Sequence, residues 1–212
     1  MTITKFGHAS VRIEHRGVTL LLDPGVFTGP EALPGADAVL ITHEHPDHVD
    51  PEHLRALDCP IFTIADVAVR LAEDAPDLTH RVRVVSPSQR FDAGLPVTAV
   101  GELHAVIHPE LPRVHNSGYL VEVGDKRLYH PGDALTGPDT EVDVLCVPVS
   151  APWLKASEAI DFARDVGAPV SLAIHDRVYS DAGLGILDGH MERFLPAGQR
   201  YVRLADGDDL DL

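Results

Sequence analysis

The chain has 212 residues and a formal net charge of −16 with histidine neutral. That length suits one domain, residues 1–212, with a full core, and the acidity argues against free nucleic acid as a partner. The longest apolar runs, such as Val18–Leu22 and Ala38–Ile41, fall far short of the ~20 residues that cross a bilayer, so no membrane partner is expected.

The N-terminus, Met-Thr-Ile-Thr-Lys-Phe-Gly-His, lacks a basic stretch followed by an apolar one, so a cytoplasmic location is expected. Thr2–Phe6, Ser10–Glu14 and Val18–Asp23 are short β-prone runs, with Arg16-Gly17 turning between the last two. Ala38–Thr42 is an apolar strand that ends where histidines begin. Asp50 followed by Pro51 predicts the N-cap and first turn of a short helix, Pro51–Ala56. A strand over Ile61–Thr63 and a helix over Ala65–Ala72 follow. Val82–Val85, Arg90–Asp92 and Pro96–Val100 read as strands. Gly118–Val123 and Lys126–His130 make a hairpin around Gly124-Asp125. Val144–Val147 is a strand, Ala156–Val166 a helix closed by Gly167, and Val170–Ile174 a strand running into His175. Ala182–Phe194 reads as the last helix despite Gly183, Gly185 and Gly189, which weaken it. Tyr201–Leu204 closes the chain as a strand. Two sheets with helices outside satisfy this order, though propensity alone does not choose that α/β arrangement over others. Cys59 and Cys146 sit among apolar residues without metal or redox spacing and read as small buried hydrophobes.

The chemistry is concentrated in Thr42-His43-Glu44-His45-Pro46-Asp47-His48. Three imidazoles and a carboxylate fall within six residues, and neutral imidazole and carboxylate are the donors that zinc and similar cations prefer. If the segment starts extended, His43 and His45 point to one side and can share one metal. Asp47 and His48 lie past the bend and can face another.

His-x-His-x-Asp-His after an apolar strand resembles the signature of the metallo-β-lactamase superfamily. Three further landmarks follow in the family's order: His104 near a strand end, the Gly-Asp pair of His130-Pro131-Gly132-Asp133, and His175 after an apolar strand. The resemblance implies a four-layer αββα sandwich and two divalent cations, with Zn²⁺ expected first and Mn²⁺ or Fe²⁺ as alternatives. It assigns His43, His45 and His104 to one cation, Asp47, His48 and His175 to the other, and Asp133 as the bridge. His108 is an alternative to His104. Asp133 could instead cap backbone amides, and His175 could be a core histidine.

Gly7-His8-Ala9-Ser10 and Leu22-Asp23-Pro24 are similar to the branch that includes ascorbate-6-phosphate lactonase and related metal-dependent hydrolases. The resemblance puts His8 near the metals, as a polarising or proton-donating group, or as a hydrogen-bonded turn residue. Asp23 is expected either to orient a ligand imidazole or to start the turn before Pro24. His15, His53, His80 and His190 read as surface residues, and His108, His115 and His130 as residues that could line the cleft. Trp153 is a wall of the pocket or part of the core. The implied activity is hydrolysis of a small lactone or ester-like molecule by a metal-bridged hydroxide, with Asp47 orienting the nucleophile. A small phosphodiester is the alternative substrate, and a non-catalytic metal-binding domain the alternative class. A redox di-iron protein is a third reading; those relatives carry a carboxylate where this chain has His45.

Overall fold

The computed structural model describes residues 1–212. Its first sheet runs in chain order: β1 (Thr2–Phe6), β2 (Ser10–His15), β3 (Val18–Leu22), β4 (Ala38–Ile41), β5 (Ile61–Thr63) and β6 (Val82–Val84). The first three strands pair antiparallel and the rest parallel. The second sheet holds β7 (Arg90–Asp92), β8 (Pro96–Val100), β9 (Gly118–Val123), β10 (Lys126–His130), β11 (Val144–Pro148), β12 (Val170–Ile174) and β13 (Arg200–Val202), again in chain order. It too begins antiparallel and becomes parallel at the β10–β11 pair.

Each parallel crossover that is long enough carries a helix on the outside of its sheet. Helices α1 (Pro51–Arg55) and α2 (Ala65–Asp74) cover the first sheet, and α3 (Ala156–Val166) and α4 (Asp181–Phe194) cover the second. The period-two geometry of the strands makes this possible. In β3 and β4, Leu20, Leu22, Ala38 and Leu40 face the space between the sheets, while Leu21, Val39 and Ile41 face the helices. In β11, Val144 and Cys146 point inward while Leu145 and Val147 meet α3 and α4. Strands that are apolar on both faces therefore sit in the middle of an α/β/β/α stack.

Local chemistry sets the helix ends. The Asp50 carboxylate accepts from the Glu52 amide at 2.9 Å, as Pro51 after an Asp implies. Gly167, at φ 72°, ends α3. The last helix begins at Asp181, one residue before the expected start, and is capped by Ser180, whose hydroxyl accepts from Gly183 N. Leu184, Leu187 and Met191 are buried at helical spacing, so tertiary burial outweighs the cost of three glycines. Two 3-10 turns, Pro30–Ala32 and Pro76–Arg81, were not expected; each starts on a proline and is too short to leave a periodic signal. Both cysteines are free and buried. No helix is long and apolar enough to cross a membrane.

Candidate metal centre

The C-terminal ends of the strands from both sheets meet at one edge of the sandwich. His8 follows β1, Asp23 follows β3, His43–His48 follow β4, His104 follows β8, Asp133 follows β10, Ser150 follows β11 and His175 follows β12. Open α/β sheets place their ligands at this edge because the loops there are free to vary while the strands are held. Two of these residues turn sharply out of their strands into the left-handed region, Asp23 at φ 44° and His175 at φ 58°. That conformation costs a side-chain-bearing residue roughly 1–2 kcal/mol, and here it throws a polar side chain into the cleft. Two glycines are required by close approach. A Cβ on Gly25 would lie 2.0 Å from the Asp47 carbonyl, and one on Gly132 (φ 61°) would lie 2.4 Å from Asn116 Oδ1 and 2.6 Å from Thr42 Oγ1.

The donors converge in two groups, His43, His45, His104 and Asp133 in one, and His8, Asp47, His48 and His175 in the other. The donor atoms of each group lie within 4.8 Å of one another. Asp133 stands between the groups. Its Oδ2 is 3.2 Å from His104 Nε2 and 3.1 Å from His175 Nε2, and its Oδ1 is 3.1 Å from His48 Nε2. Asp47 Oδ2 lies 3.4 Å from His175 Nε2. Every residue expected as a ligand is thus within this cluster.

The other nitrogen of each ring determines what the cluster can hold. His48 Nδ1 donates to Asp23 Oδ2 at 2.7 Å, His104 Nδ1 to the Ala105 carbonyl at 2.7 Å, and His175 Nδ1 to the Ser150 carbonyl. Thr42 Oγ1 donates to Asp23 Oδ2 at 2.7 Å, so its lone pair accepts from His43 Nδ1 at 3.0 Å. With Nδ1 committed in this way, Nε2 is the nitrogen that all four rings turn toward the cluster, and that of His43 also lies 3.0 Å from His45 Nδ1. Nε2 of His48, His104 and His175, with Oδ1 of Asp133, are buried without a hydrogen-bond partner. Buried polar atoms left unpaired cost free energy. Four of them aimed at one space, from nitrogen and oxygen donors, fit divalent cations.

His8 is wired the opposite way. Its Nδ1 accepts from the Arg177 amide at 3.1 Å, so its Nε2 carries the proton and donates to Asp47 Oδ2 at 3.1 Å. Burial pushes His8 down to about 4 against the pull of Asp47, so the ring is neutral near pH 7 and this tautomer stands.

Charge follows the same geometry. Burial opposes a proton on His48 and His175, but the Asp133 carboxylate, with Asp23 and Asp47, overcomes it. His48 lies well above the usual histidine range and His175 at about 9. Burial likewise opposes the charge on Asp133 and Asp47, and the neighbouring imidazoles hold both well below the usual carboxylate range.

Two partners, Asn116 and Lys5, were not legible in the sequence, and two alternatives, at Asp23 and Trp153, are resolved here. Asn116 Oδ1 accepts from the Asp133 amide at 3.0 Å while its Nδ2 donates to the Pro131 carbonyl at 2.9 Å, fixing the turn that presents Asp133. Lys5 is buried in β1 and reaches Asp176 at 2.6 Å and Asp206 at 3.4 Å. It ties the strand before His8 to the residue after His175. Asp23 accepts from the Thr42 amide, the Thr42 hydroxyl and His48, far more than a turn requires. Trp153 stands against the cluster, with Nε1 3.2 Å from Asp133 Oδ2 and its ring edge-on to His104 and His175.

Three histidines expected as cleft candidates lie elsewhere. His130 is buried behind the cluster, with Nε2 donating to the Ala9 carbonyl at 2.8 Å. His115 is exposed against Asp66, and His108 is exposed and accepts from the Glu110 amide. His53, expected on the surface, is half-buried against the Pro24 carbonyl.

Comparison with known proteins agrees with this architecture. A family model described as the β-lactamase superfamily domain matches residues 2–175. Protein Rv0786c of Mycobacterium tuberculosis is 42% identical over 200 residues, which cover 90% of this chain and 91% of that protein. A UPF0173 metal-dependent hydrolase of Flavobacterium johnsoniae is 25% identical over the full length of both. Among solved structures, Igni18, a metallo hydrolase from the archaeon Ignicoccus hospitalis, superposes with a TM-score of 0.73 at 19% identity. The match covers 99% of this chain and 97% of that one. With a family match over most of its length and the α/β/β/α stack of the metallo-β-lactamase fold, the chain belongs to the β-lactamase superfamily.

Proposed function

We propose that this member of the superfamily, a metal-dependent hydrolase, works with two divalent cations on a small neutral ester-like molecule such as a lactone. His43, His45 and His104 would hold one cation, Asp47, His48 and His175 the other, and Asp133 would bridge them. The observation that carries this reading is the set of unpaired Nε2 atoms of His48, His104 and His175 around Asp133, deep in a cleft where the remaining ring nitrogens are all used. Nitrogen and carboxylate donors of this kind favour zinc. Bound there, the cations supply Lewis acidity and lower the pKa of water so that a nucleophile exists near neutral pH.

The chain's own residues do the rest. Asp47 is half-buried and held ionised by its histidine neighbours, and its Oδ2 also touches His175, so it can orient a nucleophile, although a carboxylate held this far down accepts a proton weakly. His8, neutral and locked as a donor, fixes the Asp47 carboxylate; this supports a positioning role rather than proton donation. Trp153 closes one side of the site and limits water.

Metal analysis of the purified protein, together with a panel of lactone, ester, thioester and bis-p-nitrophenyl phosphate substrates, tests this. Two equivalents of metal, turnover of a carbonyl substrate, and its loss in His45→Ala with the fold intact are expected. Turnover that survives both chelation and His45→Ala would overturn the reading, and turnover of the phosphodiester alone would move it to phosphoryl chemistry.

A further inference from the structure

Exposed large apolar side chains are unevenly spread over this acidic surface. Leucine, valine or aromatic side chains left in water singly need no explanation, but a contiguous group does. Here eight of the fourteen lie on three loops, each tied by hydrogen bonds to the metal cluster.

The first loop follows β3. Val26 and Phe27 are about half exposed. The Val26 amide donates to the Pro46 carbonyl at 2.9 Å, inside the histidine motif, and the Phe27 ring stands edge-on to His8 at 5.2 Å. The second loop runs from β8 to β9. Its base is fixed where the Ala105 amide donates to the Asp133 carbonyl at 2.7 Å and where Arg113 Nε donates to the His104 carbonyl at 3.0 Å. Above that base it exposes Val106, Ile107 and Leu111. The third loop follows His175. The Arg177 amide holds His8, the Val178 amide donates to Ser150 Oγ, and Val178 and Tyr179 are exposed. A cavity of about 300 Å³ opens beside Trp153, lined by Leu103, Ala105, Val106 and Leu135 and also by Arg113, Thr136 and Glu158.

The charge on this rim selects among occupants. Arg177 is paired with Asp206, and Arg113 spends Nε and Nη2 on the His104 carbonyl, so of these two arginines only Arg113 lacks a carboxylate partner, and it is anchored to the backbone. The net charge of −16 further disfavours an anionic ligand or an anionic membrane surface. An apolar rim whose one unpaired arginine is anchored to the backbone, on an acidic molecule, fits a neutral molecule with a hydrocarbon tail.

We infer that the three loops form the binding site for the apolar chain of a neutral acyl substrate, whose carbonyl is presented to the metal cluster while its tail lies across Phe27, Ile107 and the cavity beside Trp153. This rests on the hydrolase reading above for the carbonyl and on the rim alone for the tail.

Two series separate those two parts. The first is hydrolysis of p-nitrophenyl esters from butanoate to decanoate by the metal-loaded protein. The second is binding of 2-alkanones of matching lengths, with and without metal, followed by fluorescence of Trp153, the single tryptophan. Burying each added CH2 is expected to raise kcat/KM and tighten binding about two- to fourfold. Val106→Ser and Ile107→Ser should flatten both series. Ile186→Ser, equally apolar and exposed but on α4, should leave both slopes as they are. Ester turnover that does not depend on chain length, together with flat ketone binding, would overturn the inference and leave the hydrolase reading standing. Ketone binding that tightens with length but no metal-dependent hydrolysis of any ester would support the rim and overturn the hydrolase reading.

Discussion

Asp23→Asn isolates one hydrogen bond in the metal centre. Asp23 is fully buried, and its two oxygens accept three bonds: the Thr42 amide at 2.8 Å on Oδ1, and the Thr42 hydroxyl and His48 Nδ1, each at 2.7 Å, on Oδ2. Asparagine tolerates the left-handed backbone at this position, so the turn should survive. Its amide, however, supplies one acceptor where three donors now point. If the oxygen stays with the Thr42 amide, the NH2 faces His48 Nδ1, and His48 relieves the clash by moving its proton to Nε2. That removes the lone pair the metal needs. A charge-assisted bond of this kind contributes ~1.5–3 kcal/mol, which matches the ~10–100-fold loss of metal affinity usual for such partners. Chelator competition at pH 7.5, with metal content by mass spectrometry and circular dichroism for the fold, measures it. The cation held by His48 should weaken about 10–100-fold while the fold persists, and the cation held by His43 should weaken less, because His43 reaches Asp23 only through the Thr42 hydroxyl. Two cations held with unchanged affinity would show that Asp23 does not set the His48 tautomer, and the tautomer argument for the cluster would fail.

His8→Ala should lower kcat about 10–100-fold with metal content and KM unchanged, and His8→Gln, whose amide can still donate to Asp47, should recover part of the loss. Metal loss in His8→Ala would instead make His8 a ligand. Lys5→Met strands the Asp176 carboxylate in a buried site, and breaking such a pair costs ~3–5 kcal/mol. The melting temperature should fall by roughly 10 °C, and Lys5→Met with Asp176→Leu should regain much of it; no change in the single variant would show that the pair contributes nothing. The metal-free protein should be most stable near pH 6.5. His175 is raised to about 9 from 6.5, so its contribution, ~3 kcal/mol, is complete below pH 6.5 and lost as pH rises through 9. His8 is lowered to about 4, so its contribution is present above pH 6.5 and lost as pH falls toward 4. With metal bound the alkaline loss should vanish, because the cations displace those protons. Thermal melts with and without chelator from pH 5 to 9 check this, and a chelated protein whose stability rises between pH 7 and 9 would refute it.

Much of the architecture is written locally. Strand boundaries came within a residue or two because apolar runs such as Ala38–Ile41 are short and bounded by turn residues. Asp50-Pro51 and Gly167 mark helix ends through chemistry that acts within one turn. The histidine motif was legible because the chain itself crowds the donors together, and the spaced landmarks His104, Asp133 and His175 through their order after strands.

What a linear reading could not reach are contacts between residues far apart in the chain. His8 meets Asp47 across 39 positions and Arg177 across 169, and Lys5 meets Asp176 across 171. Nor does the local sequence show that His130, the last residue of β10, turns behind the cluster while His175, just past β12, turns into it. Sequence determines which residues can bind a proton or a cation, because that is a property of the side chain. Which nitrogen keeps its lone pair, and toward what it points, depends on the partner of the other nitrogen, and only the packing of the two sheets brings that partner into place.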